Sequence, residues 1–372
     1  MTVSPNSSPG GMPNASPGVT PSRRWPVAIL GATGAVGQTF IRRLAGHPWF
    51  EIAELAASER SAGKRFADAC RWLEGEMPGE VADKTVVFCE PSYIRSRVVF
   101  SALDAGVAGD MEEAFAQTGC LVLSNAKNHR MEDDVPLVIP EVNAPHLALI
   151  EEQRRRRGWR GGIVTNANCA ATVATLALAP LQESFGVAQA VVVTMQAVSG
   201  AGYPGVPSLD ILGNVIPYIG EEEEKIEREL PKMLGRLEGK AVRPASLRVS
   251  AHANRVPIEH GHLVCLSVSL DSRARPDDVT RALTCWRGCS EARGLPSAPE
   301  LPLVVTAEPD RPQSRRDVWA GNGMTVTVGR VRSDSIFDVK LVALGHNTIR
   351  GAAGGSVLNA ELLAARGLLG DA

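Results

Sequence analysis

The pattern of apolar and polar positions divides the chain into two textures. Up to about residue 165, short apolar runs at 25–30, 51–57, 85–89, 97–103, 120–124 and 162–165 read as buried strands, with helical spacing over 35–45 and 110–118 between them. Apolar strands alternating with helices predict a parallel sheet covered on both faces. From about residue 166 the texture changes. An alanine-rich stretch, 170–181, predicts a helix that Pro180 should end. Longer β-branched strands at 189–195, 262–270 and 324–332 predict a half-buried antiparallel or mixed sheet. A last helix is expected over 351–369, with Val357, Leu358, Leu362 and Leu363 on its apolar side. Glycine and proline mark loops around 203–207 and 296–302. The expected fold class is α/β, with a parallel-sheet domain over 25–165 and a second, α+β domain with a mixed sheet over 166–345. Residues 1–24, rich in Ser, Pro, Gly and Asn, are expected to be a disordered tail.

Composition narrows the function more than the fold. The 372 residues carry a net charge of −2, which gives no bulk attraction to nucleic acid or an anionic membrane. No apolar run approaches the roughly 18–20 residues needed to span a bilayer. Seven cysteines, an odd number without a paired framework, read as reduced thiols of a cytoplasmic protein. Cys285 and Cys289 have no second pair at zinc spacing, and no metal is expected.

Two segments carry candidate chemistry. Gly31-Ala32-Thr33-Gly34-Ala35-Val36-Gly37 follows a strand and opens a helix, the context in which small residues let a backbone approach a pyrophosphate and a helix N-terminus supplies free N–H groups. Its spacing departs from the common GxGxxG, and a tight turn made for packing would look the same. The second strand then runs into Ser58-Glu59-Arg60-Ser61-Ala62-Gly63-Lys64, where hydroxyls and cations suit a 2′-phosphate, so NADP is expected over NAD. The second segment is Asn166-Ala167-Asn168-Cys169-Ala170-Ala171-Thr172. Cys169 falls in the first turn of a helix, where the dipole should lower the thiol pKa and prepare it for attack on a carbonyl. Position alone leaves open a small buried apolar cysteine. A proton carrier for such a thiol would come from His252, His260 or His262. Arg255 and His262 are seven apart and would face opposite ways on one strand. Pro257 and Gly261 interrupt the run, so Arg255 can end one strand and His262 begin the next, both aimed into one cleft.

Taken together, GATGAVGQ, ASERSAGK, SNAKNHRMEDDVPLVIPEVN, NANCAAT, MQAVSGAGYPG, GEEEEKIERE, NRVPIEHGH and HNTIRGAAGGSVLNAE resemble the aspartate-β-semialdehyde dehydrogenases, in particular their archaeal and fungal branch. The stretches run in family order from about residue 26 to 366. The resemblance implies a Rossmann-type NADP domain, a catalytic and dimerisation domain over 166–345, and a C-terminal helix, 346–372, packing back on the cofactor domain. It implies that Cys169 is the nucleophile, His262 the acid/base, Gln196 a substrate-orienting amide and Arg255 the clamp of a substrate carboxylate. Arg130, with Asn125 nearby, and Lys225 would hold phosphate. Glu222 would meet the substrate amine. The cofactor would lie on Gly31, Thr33, Gly34, Ala35, Val36, Ser58, Arg60, Ser61, Ser199, Gly200 and Asn347. The implied reaction interconverts L-aspartate 4-semialdehyde and L-aspartyl 4-phosphate through a thioester, toward lysine, threonine and methionine. The implied partners are the small substrate, phosphate and further copies of the chain, as a homodimer or homotetramer. A malonyl-CoA reductase or an N-acetylglutamyl-phosphate reductase would use the same framework. A cofactor-binding regulator without turnover is the reading from a different class.

Overall fold

The computed structural model describes residues 23–370. The tail expected over residues 1–24 therefore lies, as far as residue 22, outside the described residues. The first sheet has six parallel strands: β1 (Trp25–Leu30), β2 (Phe50–Ala57), β3 (Val87–Phe88), β4 (Val98–Ser101), β5 (Leu121–Ser124) and β6 (Gly162–Thr165). Their order, β3-β2-β1-β4-β5-β6, reverses between β1 and β4. Helices α1 (Ala35–Leu44), α2 (Ala105–Thr118) and α3 (Leu149–Arg157) follow β1, β4 and the long loop after β5. Strands covered on both faces lose their polar alternation, and β4, β5 and β6 are buried at every position. The strand expected over 85–89 shrinks to Val87–Phe88, at the edge of the sheet.

The chain leaves β6 directly into α4 (Cys169–Phe185), which lies between the two sheets' sequences. Pro180 does not end this helix: it sits inside it, and α4 continues to Phe185. A proline in a helix interior costs about 3 kcal/mol. Residues 170–181 of α4 are all buried, and that burial outweighs the missing hydrogen bond. Beyond α4 come β7 (Val187–Gln196), α5 (Glu222–Met233), the small hairpin β8 (Arg236–Glu238) and β9 (Ala241–Arg243), β10 (Arg248–Arg255), β11 (His262–Leu270), α6 (Pro276–Cys285), β12 (Leu303–Val305), β13 (Val326–Ser333), β14 (Val339–Gly345) and α7 (Gly354–Ala365). The second sheet has the order β10-β7-β11-β14-β13-β12 and is mixed: β10 is parallel to β7, and β11 is antiparallel to both β7 and β14. Arg255 ends β10 and His262 begins β11, yet these strands do not pair. β7 lies between them, with Arg255 opposite Gln196 and Leu263 opposite Met195. All three side chains therefore come to one edge of the sheet.

The last helix starts later than the sequence suggests, at Gly354, after a wide turn over Ile349–Ala353. It is buried along almost its whole length and shares a core with β1, α1 and β2 through Val357, Leu358, Leu362 and Leu363. Among the described residues no helix is long and apolar enough to cross a membrane.

At the reversal between β1 and β4 the chain leaves no room for side chains. Gly31 has φ +72°, and a Cβ there would lie 2.6 Å from the carbonyl oxygen of Ala102. A Cβ at Gly37 would collide with the carbonyl oxygen of Gly31 and lie 2.8 Å from Cα of Ala32. We expect Gly37→Ala to destabilise the fold by about 1–3 kcal/mol through this overpacking. Thermal unfolding, together with an NADP titration, checks it; an unchanged midpoint would show that the loop can yield.

Candidate active site

The carboxyl ends of parallel strands converge on one edge of the first sheet, and both candidate segments lie there. The glycine loop leaves β1, and the cysteine segment leaves β6. Gly34 precedes α1 with no side-chain cap, so the first N–H groups of the helix remain available to an anion. Ser58, Arg60 and Lys64 are exposed beyond β2, while Ser61 is buried and its N–H donates to Ser58 O at 2.8 Å. Neither Arg60 nor Lys64 is in an ion pair among the described residues. A loop that excludes Cβ atoms, an open helix start and unpaired cations fit a dinucleotide that carries an extra phosphate.

Cys169 is the first residue of α4. The Asn168 side chain caps the helix, accepting from the N–H groups of Ala170 and Ala171 at 3.0 Å each. Cys169 Sγ lies 3.0 Å from His262 Nε2, and the Ala197 N–H donates to His262 Nδ1 at 3.2 Å. Gln196 is buried, with Nε2 donating to Glu222 Oε1 at 3.2 Å. The same Glu222 oxygen accepts from Asn168 Nδ2 at 2.6 Å. Arg255 donates from Nη1 to the Ala197 carbonyl at 2.8 Å. Close passage of the loop at Gly200 completes this wall: a Cβ there would stand 2.9 Å from Arg255 Nη1 and 3.1 Å from His262 Cε1. Ser199 Oγ accepts from Asn347 Nδ2 at 2.8 Å and contacts His260 Nδ1 at 3.2 Å, and Asn347 Oδ1 accepts from Gly261 N–H at 2.9 Å. Asn347 thus ties the turn before β11 to the loop after β7. Opposite them, a Cβ at Gly351 would approach within 2.6 Å of Cys169 Cβ and 2.8 Å of its Cα, so the turn before α7 packs directly on the backbone that carries the thiol.

A pocket of about 330 Å³, lined by Lys127, Arg130, Glu221, Glu224, Lys225, Arg228 and Glu229, among others, lies along α5, which Glu222 and Glu229 tie to Asn168, the residue before the thiol. Arg130 donates from Nη1 to Glu229 Oε1 at 2.9 Å and from Nη2 to the Asn125 carbonyl at 2.7 Å, while its buried Nε has no partner. Lys225 Nζ stands 3.6 Å from Glu222 Oε2, one turn along α5. The described residues also gather Glu113, His129 and Glu132, a set that could hold a metal, but Arg157 lies on both carboxylates.

The electrostatics correct one expectation. The helix start was expected to lower the Cys169 pKa. Burial and the neighbouring Glu222 carboxylate instead push it up to about 12, against the opposing pull of Arg130, Arg255 and the Ala170 N–H. Part of Cys169 stays open to the cleft, but protein surrounds the sulfur closely enough to deny a thiolate full solvation. Burial, with Arg255 and His346, drives His262 down to about 3. Burial thus opposes charge on both members of the pair, the thiolate and the imidazolium alike.

Residues 26–150 match the NAD-binding domain of the semialdehyde dehydrogenases, and residues 178–350 match their dimerisation domain. Those matches define the class. Aspartate-semialdehyde dehydrogenases of Methanothermobacter thermautotrophicus and Archaeoglobus fulgidus are 52% and 48% identical, each over 91% of this chain and 98% of the relative. That of Schizosaccharomyces pombe is 48% identical over 92% of this chain and 99% of its own. The crystal structure of the Candida albicans enzyme with NADP superposes with a TM-score of 0.85 at 43% identity, covering 92% of this chain and 99% of that one. The chain belongs to the aspartate-semialdehyde dehydrogenase family.

Of the residues that the sequence singles out, Cys169 meets His262, Glu222 meets Gln196 and Lys225 and, through Asn168, the thiol's helix, and Arg130 meets the Asn125 carbonyl; Arg255 ends β10 beside Gln196. Sequence reasoning missed Asn168, Glu229 and Lys232. The N-cap position of an asparagine before a helix was a usable signal for the first. For the other two, the 3–4–3 spacing of Glu222, Lys225, Glu229 and Lys232 places four charges on one helix face.

Glu222 opposes ionisation of the thiol, so Glu222→Gln is expected to lower the Cys169 pKa while keeping an oxygen for Asn168. Alkylation of Cys169 at pH 8, resolved by peptide mass spectrometry, should become faster than in the wild type. An unchanged or slower rate would show that Glu222 does not set the thiol's charge.

Proposed function

We infer that this chain catalyses the NADP-dependent, phosphorylating oxidation of L-aspartate 4-semialdehyde to L-aspartyl 4-phosphate, and its reverse, through a thioester on Cys169. The observation that carries this reading is the 3.0 Å approach of Cys169 Sγ to His262 Nε2, with Arg130 and Lys225 in a pocket that Glu229 links to the residue before the thiol. Cys169 Sγ adds to the aldehyde carbon, and the thiol proton passes by way of His262 to the aldehyde oxygen, giving a hemithioacetal. Gln196 and Glu222 orient the substrate, Glu222 at its amine, and Arg255 takes its carboxylate in a fork. NADP, when bound, supplies the hydride acceptor. Gly31, Thr33, Gly34, Ala35 and Val36 would hold its pyrophosphate, Ser58, Arg60 and Ser61 its 2′-phosphate, and Ser199, Gly200 and Asn347 its nicotinamide end. As the hemithioacetal is oxidised, its hydroxyl proton goes to His262. Phosphate held by Arg130 and Lys225, near Asn125, then attacks the thioester carbonyl. The C–S bond breaks, and the sulfur leaves as thiolate and regains a proton from His262.

In the cell we assign the chain to the cytoplasm, where its unpaired cysteines stay reduced. It would act as a homodimer or homotetramer assembled through the second sheet, and its net flow would be reductive, toward lysine, threonine and methionine. A leaving group as small as phosphate suits the Arg130–Lys225 pocket, which favours this substrate over a CoA thioester.

Removing the nucleophile should cut phosphate-dependent NADPH formation by at least about a thousand-fold in Cys169→Ala, and His262→Asn should lower kcat by about 10²–10⁴-fold. Substantial remaining turnover in Cys169→Ala would end the thioester assignment. With wild-type protein, kcat/KM should favour NADP over NAD, and Arg60→Ala should erode that preference; a preference for NAD would reverse the cofactor choice.

A further inference from the structure

Four charged residues of α5 face inward at helical spacing: Glu222, Lys225, Glu229 and Lys232. The mechanism uses the first two. Of the four, Glu229 is the deepest. Glu229 is 2% exposed, and neither of its oxygens meets water-facing partners. Oε1 accepts from Arg130 Nη1 at 2.9 Å, and Oε2 accepts from the backbone N–H of Asn168 at 2.6 Å. One carboxylate therefore bridges the guanidinium of the anion pocket and the residue immediately before Cys169. Lys232 secures the same loop from the next turn, donating to the carbonyls of Arg130, Glu132 and Val135 at 2.7, 2.8 and 3.0 Å.

A charge this deep is costly unless it is paired and fully hydrogen-bonded. Arg130 is itself 8% exposed, so Glu229 and Arg130 each compensate the other's burial. The second oxygen of Glu229 is not needed for that pairing. It is spent on the Asn168 N–H, which fixes the backbone from which Sγ projects. Reacting groups lose rate steeply when misplaced by about an ångström. A single rigid carboxylate between the two sites holds their separation constant.

We propose that Glu229 is a positioning residue that fixes the phosphate-holding Arg130 and the backbone of the Cys169 nucleophile at a set separation, so that bound phosphate faces the thioester carbon. The proposal rests on the phosphorylating reaction inferred above. It predicts a specific failure on replacing the carboxylate by an amide. Both contacts require an acceptor, whereas glutamine offers one oxygen and one NH2, so either Arg130 or Asn168 must then face a donor.

The test uses the full chain carrying Glu229→Gln, assayed for NADPH formation with inorganic phosphate varied at saturating NADP and aspartate semialdehyde. The expected result is a phosphate KM raised about ten-fold or more, a lowered kcat, and KM values for NADP and the semialdehyde within about two-fold of wild type. Inorganic phosphate should also lose most of its protection of Cys169 against alkylation. If Glu229→Gln does not fold, Glu229→Asp carries the same reading, since it keeps the charge but cannot reach both partners. A phosphate KM and a phosphate protection both within about two-fold of wild type would overturn the proposal, whatever happens to the thermal midpoint. Wild-type protein without phosphate-dependent turnover would instead count against the reaction itself, which keeps the two failures distinct.

Discussion

Asn168 is the point at which the two halves of the molecule become one site. Its side-chain oxygen caps α4, its amide donates to Glu222, and its backbone N–H donates to Glu229. Each bond answers a different need. The cap satisfies N–H groups that a helix start would otherwise leave open. The two carboxylate contacts fasten α5, and with it the pocket, to the strand-to-helix corner that ends the first sheet. Asn166 does the same toward the C-terminal segment, donating to the carbonyls of Gly351 and Ala352 at 3.3 and 3.0 Å. The sequence Asn-Ala-Asn-Cys is thus a junction of three chain segments with the thiol at its tip.

Topology explains why such a junction can be a reaction site. Parallel strands must present their carboxyl ends on one side, so the glycine loop after β1 and the cysteine after β6 share an edge. In the second sheet, β7 and β10 run parallel and end where β11 begins, which sets Gln196, Arg255 and His262 side by side. α4 connects one edge to the other. The turn before α7 then packs against the start of α4 at Cys169, anchored by the buried Arg350, whose two Nη groups meet both oxygens of Glu141 at 2.7 and 2.6 Å.

Much of this was legible along the chain because it is local. The glycine loop, the apolar strands and the helix start at Cys169 depend on neighbours a few residues away, and His262 opens β11 at the position expected. Pairings over long separations were not legible. Nothing local tells β10 to lie beside β7 and not beside β11. Pro180 illustrates the same limit: proline's local cost is visible in the sequence, and the burial that overrides it is not. The thiol pKa is the sharpest case. The helix dipole can be read from position, whereas the desolvation and the Glu222 charge that oppose it come from packing and from a residue 53 positions away. The family resemblance supplied the roles that position left open, but it named residues singly and gave no hint of the Glu229 bridge.

Charge bookkeeping around the sulfur separates the two arginines. Arg130 has its carboxylate already, in Glu229, and Lys225 has Glu222. Arg255 is different. It is 6% exposed, its Nη1 is held by a carbonyl, and among the described residues no carboxylate lies within ion-pair distance of it. Burial accordingly lowers its pKa. Glu222 acts on it only from beyond ion-pair distance, and a buried guanidinium so partly compensated binds a carboxylate strongly, because the carboxylate takes two of its N–H groups at once. The cation that the protein leaves without a paired carboxylate is therefore the one whose partner the substrate must bring. The paired cations can hold a second anion, phosphate, weakly enough to let it react.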